Sequence, residues 1–230
     1  MIMPSAGSSM KINKGGKIMT NIYVITSLKA SAGKTTLAMH LCEYLKPTHR
    51  TVLLDADLTT DHFEWALQHD KNLAFEHLDV TENDASTLDQ RIQHLKKQYD
   101  SIVVDIDGHD SKALRSVLKH ADKMIIPTGI DEQDLQLLNE MVELAIAMKQ
   151  SNPQLRVYVL LNKIPMHTEL QAIQQANQLL DNIPRMRFLN TIVYDDSSFA
   201  QAMQASQCIW KTNLQQAEKV DQVLVDLLAD

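Results

Sequence analysis

The chain alternates short apolar, β-branched runs with segments of helical periodicity. The predicted strands lie at 22–26, 51–55, 73–78, 101–105, 123–127, 155–161 and 186–193. Predicted helices follow them, the last four at 132–150, 167–181, 197–206 and 213–229. Continuously apolar strands joined by helices form a parallel sheet that is covered on both faces. We therefore predict an α/β fold, a doubly wound and mainly parallel sheet with ligands at the carboxyl ends of its strands.

Length and composition favour one folded domain. The chain has 230 residues, 44% of them hydrophobic and 22% charged, as in globular proteins. Residues 1–18 are rich in Gly, Ser and Lys without periodicity, so we predict a flexible tail there and a single domain over 19–230. The sequence has no membrane-spanning run and no secretory signal, and its two cysteines give no disulfide framework, which favours a cytoplasmic protein.

Glycine is scarce and unevenly distributed. The chain has 6 glycines, whereas average usage of about 7% would give about sixteen. After residue 16 only Gly33, Gly108 and Gly129 remain, and each follows a predicted strand. A chain that uses glycine so rarely places it where the backbone tolerates no side chain. These positions indicate one functional edge at the carboxyl ends of the strands.

The first strand leads into a phosphate-binding pattern. A Gly-Lys-Thr sequence at 33–35 stands between a strand and a helix, as in a P-loop, although Leu28 replaces the first glycine of the standard pattern. Gly33 would let backbone amides face phosphate oxygens, and the helix start adds positive potential. Lys34 would reach the β- and γ-phosphates, Thr35 would ligate Mg²⁺ and Thr36 would contact the α-phosphate. The alternative is a helix start without a ligand.

The segment Lys29-(x)₃-Gly33-Lys34-Thr35-Thr36 resembles the deviant Walker A motif, Lys-Gly-Gly-x-Gly-Lys-Thr-Thr, of the ParA/MinD ATPases. The resemblance implies that Lys29 is the signature lysine, which reaches the partner subunit's nucleotide across a dimer. It also places Ala32 among the nucleotide-binding residues. The two family glycines after the lysine are replaced here by Ala30 and Ser31.

Acidic residues end two of the predicted strands. Asp55 and Asp57 resemble the family's Asp-x-Asp segment, without its Pro-Gln continuation, and Asp105 ends a strand of Walker B type. The resemblance implies that Asp57 positions the attacking water, that Asp55 supports the Mg²⁺ shell and that Asp105 holds Mg²⁺ through water. Asp107 is a rival Walker B carboxylate, and a pair of helix-capping aspartates is the alternative for 55 and 57. Gly108 would lie in the loop that senses the γ-phosphate.

Later segments resemble the same family in order and spacing, so that the resemblance covers 21 to about 228. Asn162 and Lys163 match the segment whose asparagine reads the adenine edge. Cations near the region that the family uses for non-specific DNA contact are Arg185, Arg187 and Lys211. The acidic last helix argues against the membrane attachment of MinD-like proteins. The histidines show no metal-ligand spacing, and His62, His69 and His77 are interpreted as solvated residues.

The resemblance is closest to small plasmid-type ParA proteins. It implies an ATPase that uses ATP and Mg²⁺, forms a homodimer on ATP binding and binds DNA non-specifically, so that it is nucleoid-associated in that state. A ParB-like or centromere-binding adaptor would stimulate hydrolysis, and the outcome would be segregation of plasmid or chromosomal DNA. Two alternatives remain open, a ParA-like positioning switch for a protein machine such as conjugation or secretion, and a non-hydrolysing adaptor with a decayed P-loop.

Overall fold

A computed structural model of the protein describes residues 20–56, 73–78, 85–168, 171, 173–174, 178, 186–205 and 207–229. Its elements in chain order are β1 Asn21–Ile25, α1 Lys34–Leu45, β2 Thr51–Asp55, β3 Ala74–His77, α2 Ala85–Leu95, β4 Ser101–Asp105, α3 Lys112–His120, β5 Lys123–Thr128, α4 Glu132–Met148, β6 Arg156–Ile164, β7 Met186–Phe188, β8 Val193–Tyr194, α5 Ser197–Gln204, a 3₁₀ turn Ile209–Lys211 and α6 Leu214–Leu228.

The strands form one parallel sheet. Their order is β3-β2-β4-β1-β5-β6-β7, and β8 pairs with the far end of β6. The chain leaves β1 toward β2 on one side and later reaches β5 on the other, so the strand order reverses around β1. Ligands of such sheets bind outside the carboxyl ends of the strands at this reversal. The predicted P-loop follows β1 and therefore lies at that place.

Helices cover both faces of the sheet. Successive strand residues point to opposite faces, and in β1 the side chains of Ile22 and Val24 pack with α2, α3 and α4. Tyr23 and Ile25 pack on the other face with α1 and α6 and with Ala202 of α5. The prediction of a doubly wound α/β fold is confirmed. No helix within the described ranges is both long and apolar enough to cross a lipid bilayer.

The predicted strand at 186–193 is wrong in one respect, because the structure has two short strands there. β6 has nine residues and pairs at Val157–Val159 with β7, then at Asn162 and Ile164 with β8. One long strand can thus take two partners in succession, and residues 189–192 between them need not stay extended. The tail at 1–18, the predicted helix at 61–69 and most of that at 167–181 lie outside the described residues.

Candidate nucleotide-binding site

The loop between β1 and α1 encloses a cavity at the carboxyl edge of the sheet. The cavity is lined by Leu28, residues 30–36, Asp107, His109, Lys163 and Met203. Five of the eight residues at 29–36 are identical to those that the motif specifies. The first residues of α1 line the cavity, and the backbone amides at a helix start have no partners within the helix. Such a helix start attracts anions through these amides and the helix dipole. The loop therefore has the local structure of a phosphate-binding site.

Gly33 is required at its position for two reasons. It caps α1 in the left-handed region, with φ of 88°, which glycine adopts without strain. A Cβ atom there would lie 2.5 Å from Nδ2 of Asn162. That Nδ2 donates a hydrogen bond of 2.6 Å to the Ala32 carbonyl. The end of β6, predicted to read the base, therefore lies directly on the phosphate loop.

Ser31 adopts a left-handed backbone conformation, which glycine adopts most readily. Its φ is 56°, and Lys163, with φ of 55°, is the other non-glycine residue with positive φ in the described part of the chain. A side chain in this left-handed region costs about 1–2 kcal/mol. Ser31 occupies a position where the ParA/MinD motif has glycine, so the loop keeps the shape for which that glycine is suited.

Replacing Ser31 with glycine is expected to stabilise the protein. Release of the left-handed strain is partly offset by the greater freedom of glycine in the unfolded chain, leaving about 0.5–1 kcal/mol. This corresponds to a rise in melting temperature of about 1–3 °C, measurable by calorimetry. Ala30→Gly is the matched control, since both residues are exposed and Ala30 has no positive φ. An equal or larger stabilisation by Ala30→Gly would contradict this reasoning.

Three residues of the predicted phosphate and metal site meet at the start of α1. The Thr35 hydroxyl donates a hydrogen bond of 2.5 Å to Oδ2 of Asp105, which is 2% exposed. Lys34 Nζ lies 3.5 Å from the Ser27 carbonyl oxygen. Asp107, the rival carboxylate, is 48% exposed in its side chain and contacts His109. Asp105 is therefore the carboxylate that lies beside the loop threonine.

Asp55 and Asp105 end neighbouring parallel strands at paired positions. Both are buried, with 6% and 2% of their surface exposed. Two buried carboxylates and the Thr35 hydroxyl form an oxygen donor set suited to Mg²⁺, which keeps water and phosphate ligands as well. No group of three or more His, Cys, Asp or Glu side chains within the described ranges could hold a metal alone. Asp57 lies outside the described residues.

The interpretation of His77 as a solvated residue is wrong. His77 ends β3, its position pairs with that of Asp55, and its Nδ1 lies 3.3 Å from Asp55 Oδ2. The side chain is 23% exposed. One sequence signal could have identified His77. It lies near the end of a predicted strand, as Asp55 and Asp105 do in their own strands. His62 and His69 lie outside the described residues.

The loop after β4 packs directly on the start of the phosphate loop. A Cβ atom on Gly108 would lie 2.3 Å from the carbonyl carbon of Ser27 and 2.4 Å from the amide nitrogen of Leu28. The Thr26 hydroxyl donates to the Asp107 carbonyl at 3.1 Å. Glycine at 108 is thus needed because the two backbone segments approach closely. The loop after β4 and the phosphate loop therefore pack directly against each other.

Substituting Gly108 with alanine is expected to lower the free energy of unfolding by about 3 kcal/mol. The added methyl group meets backbone atoms that cannot rotate away, and overpacking of this kind costs about 1–3 kcal/mol. The melting temperature should fall by about 6–12 °C, followed by circular dichroism. His109→Ala is the control, because its side chain is 72% exposed. A Gly108→Ala protein as stable as the wild type would show that the two loops do not pack this closely.

A second, largely apolar cavity adjoins the first. It shares Gly33, Thr36, Lys163 and Met203 with the phosphate cavity and is otherwise lined by Leu37, His40, Leu160, Asn162, residues 193–197, Phe199, Ala200, Val220 and Val223. The Thr36 hydroxyl contacts Met203 Sδ at 3.2 Å where the two cavities meet. Apolar walls with a few polar groups suit a planar base, so the two cavities together can hold a nucleotide.

Polar contacts fix the outer wall of the apolar cavity. Asp196 caps α5 by accepting a hydrogen bond of 2.8 Å from the Ser198 amide. Contact with Ser198 and a hydrogen bond from Gln216 hold the pKa of the Asp196 carboxyl below its usual value. In α1, burial raises the pKa of the Cys42 thiol, so this cysteine is a neutral packing residue of the core rather than a nucleophile.

Lys29 makes an ion pair within the same chain. Its Nζ lies 2.5 Å from Oδ2 of Asp134 in the first turn of α4, and the two side chains are 29% and 8% exposed. A Cβ atom on Gly129 would lie 2.0 Å from that oxygen and 2.6 Å from Nζ. Gly129 therefore leaves room for the pair. Sequence reasoning did not identify Asp134, although an acidic cluster at the start of a predicted helix was visible.

The structure describes two of the three cations that were predicted to contact DNA. Arg187 is exposed on β7, and Lys211 is exposed in the 3₁₀ turn before α6. Arg185 lies outside the described residues.

Known proteins resemble this chain in sequence and in structure. The VirC1 protein family matches residues 19–223. The maintenance of carboxysome distribution protein A of Gloeobacter kilaueensis is 30% identical over 126 residues, which cover 54% of this chain and 56% of that protein. The chain spans about half the length of the curated relatives it matches.

Solved structures share the fold across almost the whole chain. A putative plasmid partition protein from Borrelia burgdorferi, bound to AMPPNP, has a TM-score of 0.71 and 15% identity, covering 91% of this chain and 99% of that one. The septum site-determining protein MinD from Pyrococcus horikoshii, complexed with Mg-ADP, has a TM-score of 0.69 and 18% identity, covering 91% and 96%. The match across 19–223, on a ParA/MinD fold with a deviant P-loop, shows that the chain belongs to the VirC1 family of ParA/MinD-type proteins.

Proposed function

We propose that this protein is an Mg²⁺-dependent ATPase that dimerises on ATP. The observation that carries the proposal is the contact of the Thr35 hydroxyl with Asp105 beside a left-handed Gly33. One hydrogen bond thus joins a hydroxyl of the phosphate loop to a buried carboxylate at the end of β4. Structural neighbours that bind AMPPNP or Mg-ADP support the choice of nucleotide.

Each site residue has a role in binding or orienting the nucleotide. Lys34 and the amides of Ala32 and Gly33 bind the β- and γ-phosphates, and Thr36 binds the α-phosphate. Asn162 and Lys163 line the apolar cavity and would contact a base bound there. Phosphoryl transfer depends mostly on such positioning and on electrostatic stabilisation.

Thr35, Asp105 and Asp55 would hold Mg²⁺. When bound, the ion neutralises charge on the β- and γ-phosphate oxygens. Asp57 orients the attacking water, by its match to the family motif. Lys29 of one protomer stabilises the charge that develops on the nucleotide of the other. In the single chain Lys29 is paired with Asp134, so dimerisation must exchange this partner for phosphate.

The test of the proposed activity is release of phosphate from ATP by the full chain, in Mg²⁺ and in EDTA. We expect hydrolysis that requires Mg²⁺ and is lost on Asp105→Asn, whereas Asp107→Asn keeps most of it. Hydrolysis that Asp107→Asn abolishes and Asp105→Asn spares would contradict the assignment of the metal-holding carboxylate.

The cellular output that we propose is partition of DNA. The ATP-bound dimer binds DNA without sequence preference through Arg185, Arg187 and Lys211, and a ParB-like adaptor triggers hydrolysis and release in the cytoplasm. The Borrelia partition protein, which shares the fold, supports this reading. Few cations make such binding weak and dependent on salt.

A positioning switch for a protein machine is the second candidate. The net charge of −7 favours it, because a DNA-binding surface would have to work against that charge. A curated relative is named for carboxysome distribution rather than for a plasmid. Retention of DNA on a filter with ATP, compared with ADP, distinguishes the two. ATP-dependent retention that falls with Arg187→Ala supports partition, and its absence supports the positioning switch.

A further inference from the structure

A row of polar side chains crosses the carboxyl edge of the sheet. Asp105 ends β4, Asp55 ends β2 and His77 ends β3, and the paired positions are Asp55 with Asp105 and Asp55 with His77. Side chains at paired positions of parallel strands lie on the same face, about 4.8 Å apart. Phe75, Leu53 and Val103, two residues earlier on each strand, lie in or against the core on the α1 side. The row therefore faces α1 and its Thr35.

The two ends of the row have different partners. At one end the Thr35 hydroxyl donates to Asp105 at 2.5 Å. At the other end His77 Nδ1 lies 3.3 Å from Asp55 Oδ2. A carboxylate oxygen accepts, so Nδ1 carries the hydrogen. Two buried carboxylates side by side repel each other unless a cation lies near them, and the row is therefore suited to bind one.

A histidine is a fitting neighbour for a metal-binding carboxylate. The imidazole Nδ1 can orient the Asp55 carboxylate by one hydrogen bond. A lysine or arginine at this position would neutralise Asp55 and repel Mg²⁺. Groups that orient metal ligands in this way typically change metal affinity by about 10- to 100-fold when they are removed.

Backbone pairing joins β3 to β2 independently of the His77 side chain. Four register pairs join the strands, and the Leu78 amide donates to the Asp55 carbonyl at 2.9 Å. We therefore expect β3 to stay in place when the His77 side chain is lost, so that the loss is felt at the Asp55 carboxylate.

We propose that His77 is a positioning residue for the Mg²⁺ site, holding the Asp55 carboxylate in the orientation that the metal shell requires. This role rests on the proposed function, since it presupposes a nucleotide-bound Mg²⁺ at Asp55 and Asp105. His77 acts through Asp55 and does not belong to the lining of either cavity.

The test measures the Mg²⁺ concentration that half-saturates binding of a fluorescent ATP analogue. We expect His77→Ala to raise it about tenfold, with nucleotide affinity in EDTA and melting temperature unchanged. His77→Phe, which keeps a ring without a donor, should raise it equally and serves if the alanine variant folds poorly. His77→Asn places an amide donor near the position of Nδ1 and should return the value to within about threefold of wild type.

His120→Ala is the matched control. His120 Nε2 lies 2.5 Å from Asp89 Oδ1, so it forms the same type of pair between α2 and α3, and neither residue lines either cavity. Its loss should leave the Mg²⁺ requirement unchanged. The proposal would be overturned if the half-saturating Mg²⁺ concentrations of His77→Ala and His77→Phe both stayed within twofold of the wild-type value. A wild-type protein that binds the analogue without needing Mg²⁺, or not at all, would instead overturn the proposed function, and this role with it.

Discussion

Replacing Lys34 with alanine is expected to weaken ATP binding by about 100-fold or more. Lys34 is the only lysine in the first turn of α1, and its Nζ lies near the Ser27 carbonyl at the entrance of the phosphate loop. Each charge-assisted hydrogen bond to phosphate contributes about 1.5–3 kcal/mol. Loss of two such bonds, to the β- and γ-phosphates, gives about 3 kcal/mol or more, and 1.4 kcal/mol is a factor of ten. Calorimetric titration with ATP and Mg²⁺ measures the change.

The matched control is Lys97→Ala. Lys97 is an exposed lysine in the turn after α2, in a different part of the chain, so its removal changes net charge equally without touching the loop. ATP affinity should stay within about twofold of wild type for this variant. Equal affinities of Lys34→Ala and wild type would mean that the loop does not hold phosphate.

Replacing Lys29 with alanine is expected to give a protein that binds ATP but stays monomeric and hydrolyses ATP about 1,000-fold more slowly. A cation supplied in trans to the transferring phosphoryl group contributes at least about this factor in related phosphoryl-transfer enzymes. Sizing chromatography with a non-hydrolysable analogue reports dimerisation, and phosphate release reports the rate.

The ion pair of Lys29 with Asp134 requires a control for structural damage. The Asp134 side chain is 8% exposed, and loss of its cation leaves a buried charge, which is costly. Asp134→Asn removes the charge partner and keeps the lysine. This variant should still dimerise with the analogue, because Lys29 remains available to the partner's nucleotide. A Lys29→Ala protein that dimerises as fully as wild type would rule out the trans role.

Local sequence patterns were sufficient to predict the fold. The central strands β1, β4 and β6 carry continuous apolar runs rich in β-branched residues. Burial of both sheet faces explains why such runs alternate with helices. The exception is the run at 186–193, where tertiary pairing with the long β6 divides it into β7 and β8. Periodicity describes one strand and its faces, and it contains no information on how many partners a neighbouring strand accepts.

Part of the site was predictable because its residues are adjacent in sequence. The order Gly-Lys-Thr-Thr between a strand and a helix places Gly33 and Thr35 without knowledge of the rest of the chain. The preference for Asp105 over Asp107 is matched by the contact of Asp105 with Thr35. The roles of all these residues stay predictions, and Asp57 and Arg185 also lie outside the described residues.

Other contacts depend on strand order and could not be predicted from sequence. His77 meets Asp55 across 22 residues, and Asp134 meets Lys29 across 105. The wrong interpretation of His77 as a solvated residue also has a physical cause, because a lone histidine in a polar segment is usually exposed to solvent. Gly108 and Gly129, which were predicted to mark the functional edge, leave space for the backbone at 27–28 and for the Lys29–Asp134 pair. Among the glycines described, only Gly33 has positive φ.

Calorimetric titration of the wild-type protein with ATP, with Mg²⁺ and then with EDTA, tests the central claim most directly. A nucleotide site built from Lys34, Thr35 and Asp105 should give saturable binding of one ATP per chain, weakened at least tenfold when EDTA removes Mg²⁺. A titration with no heat of binding in either condition, from a protein that is folded by circular dichroism, would contradict the assignment of this chain as an ATPase.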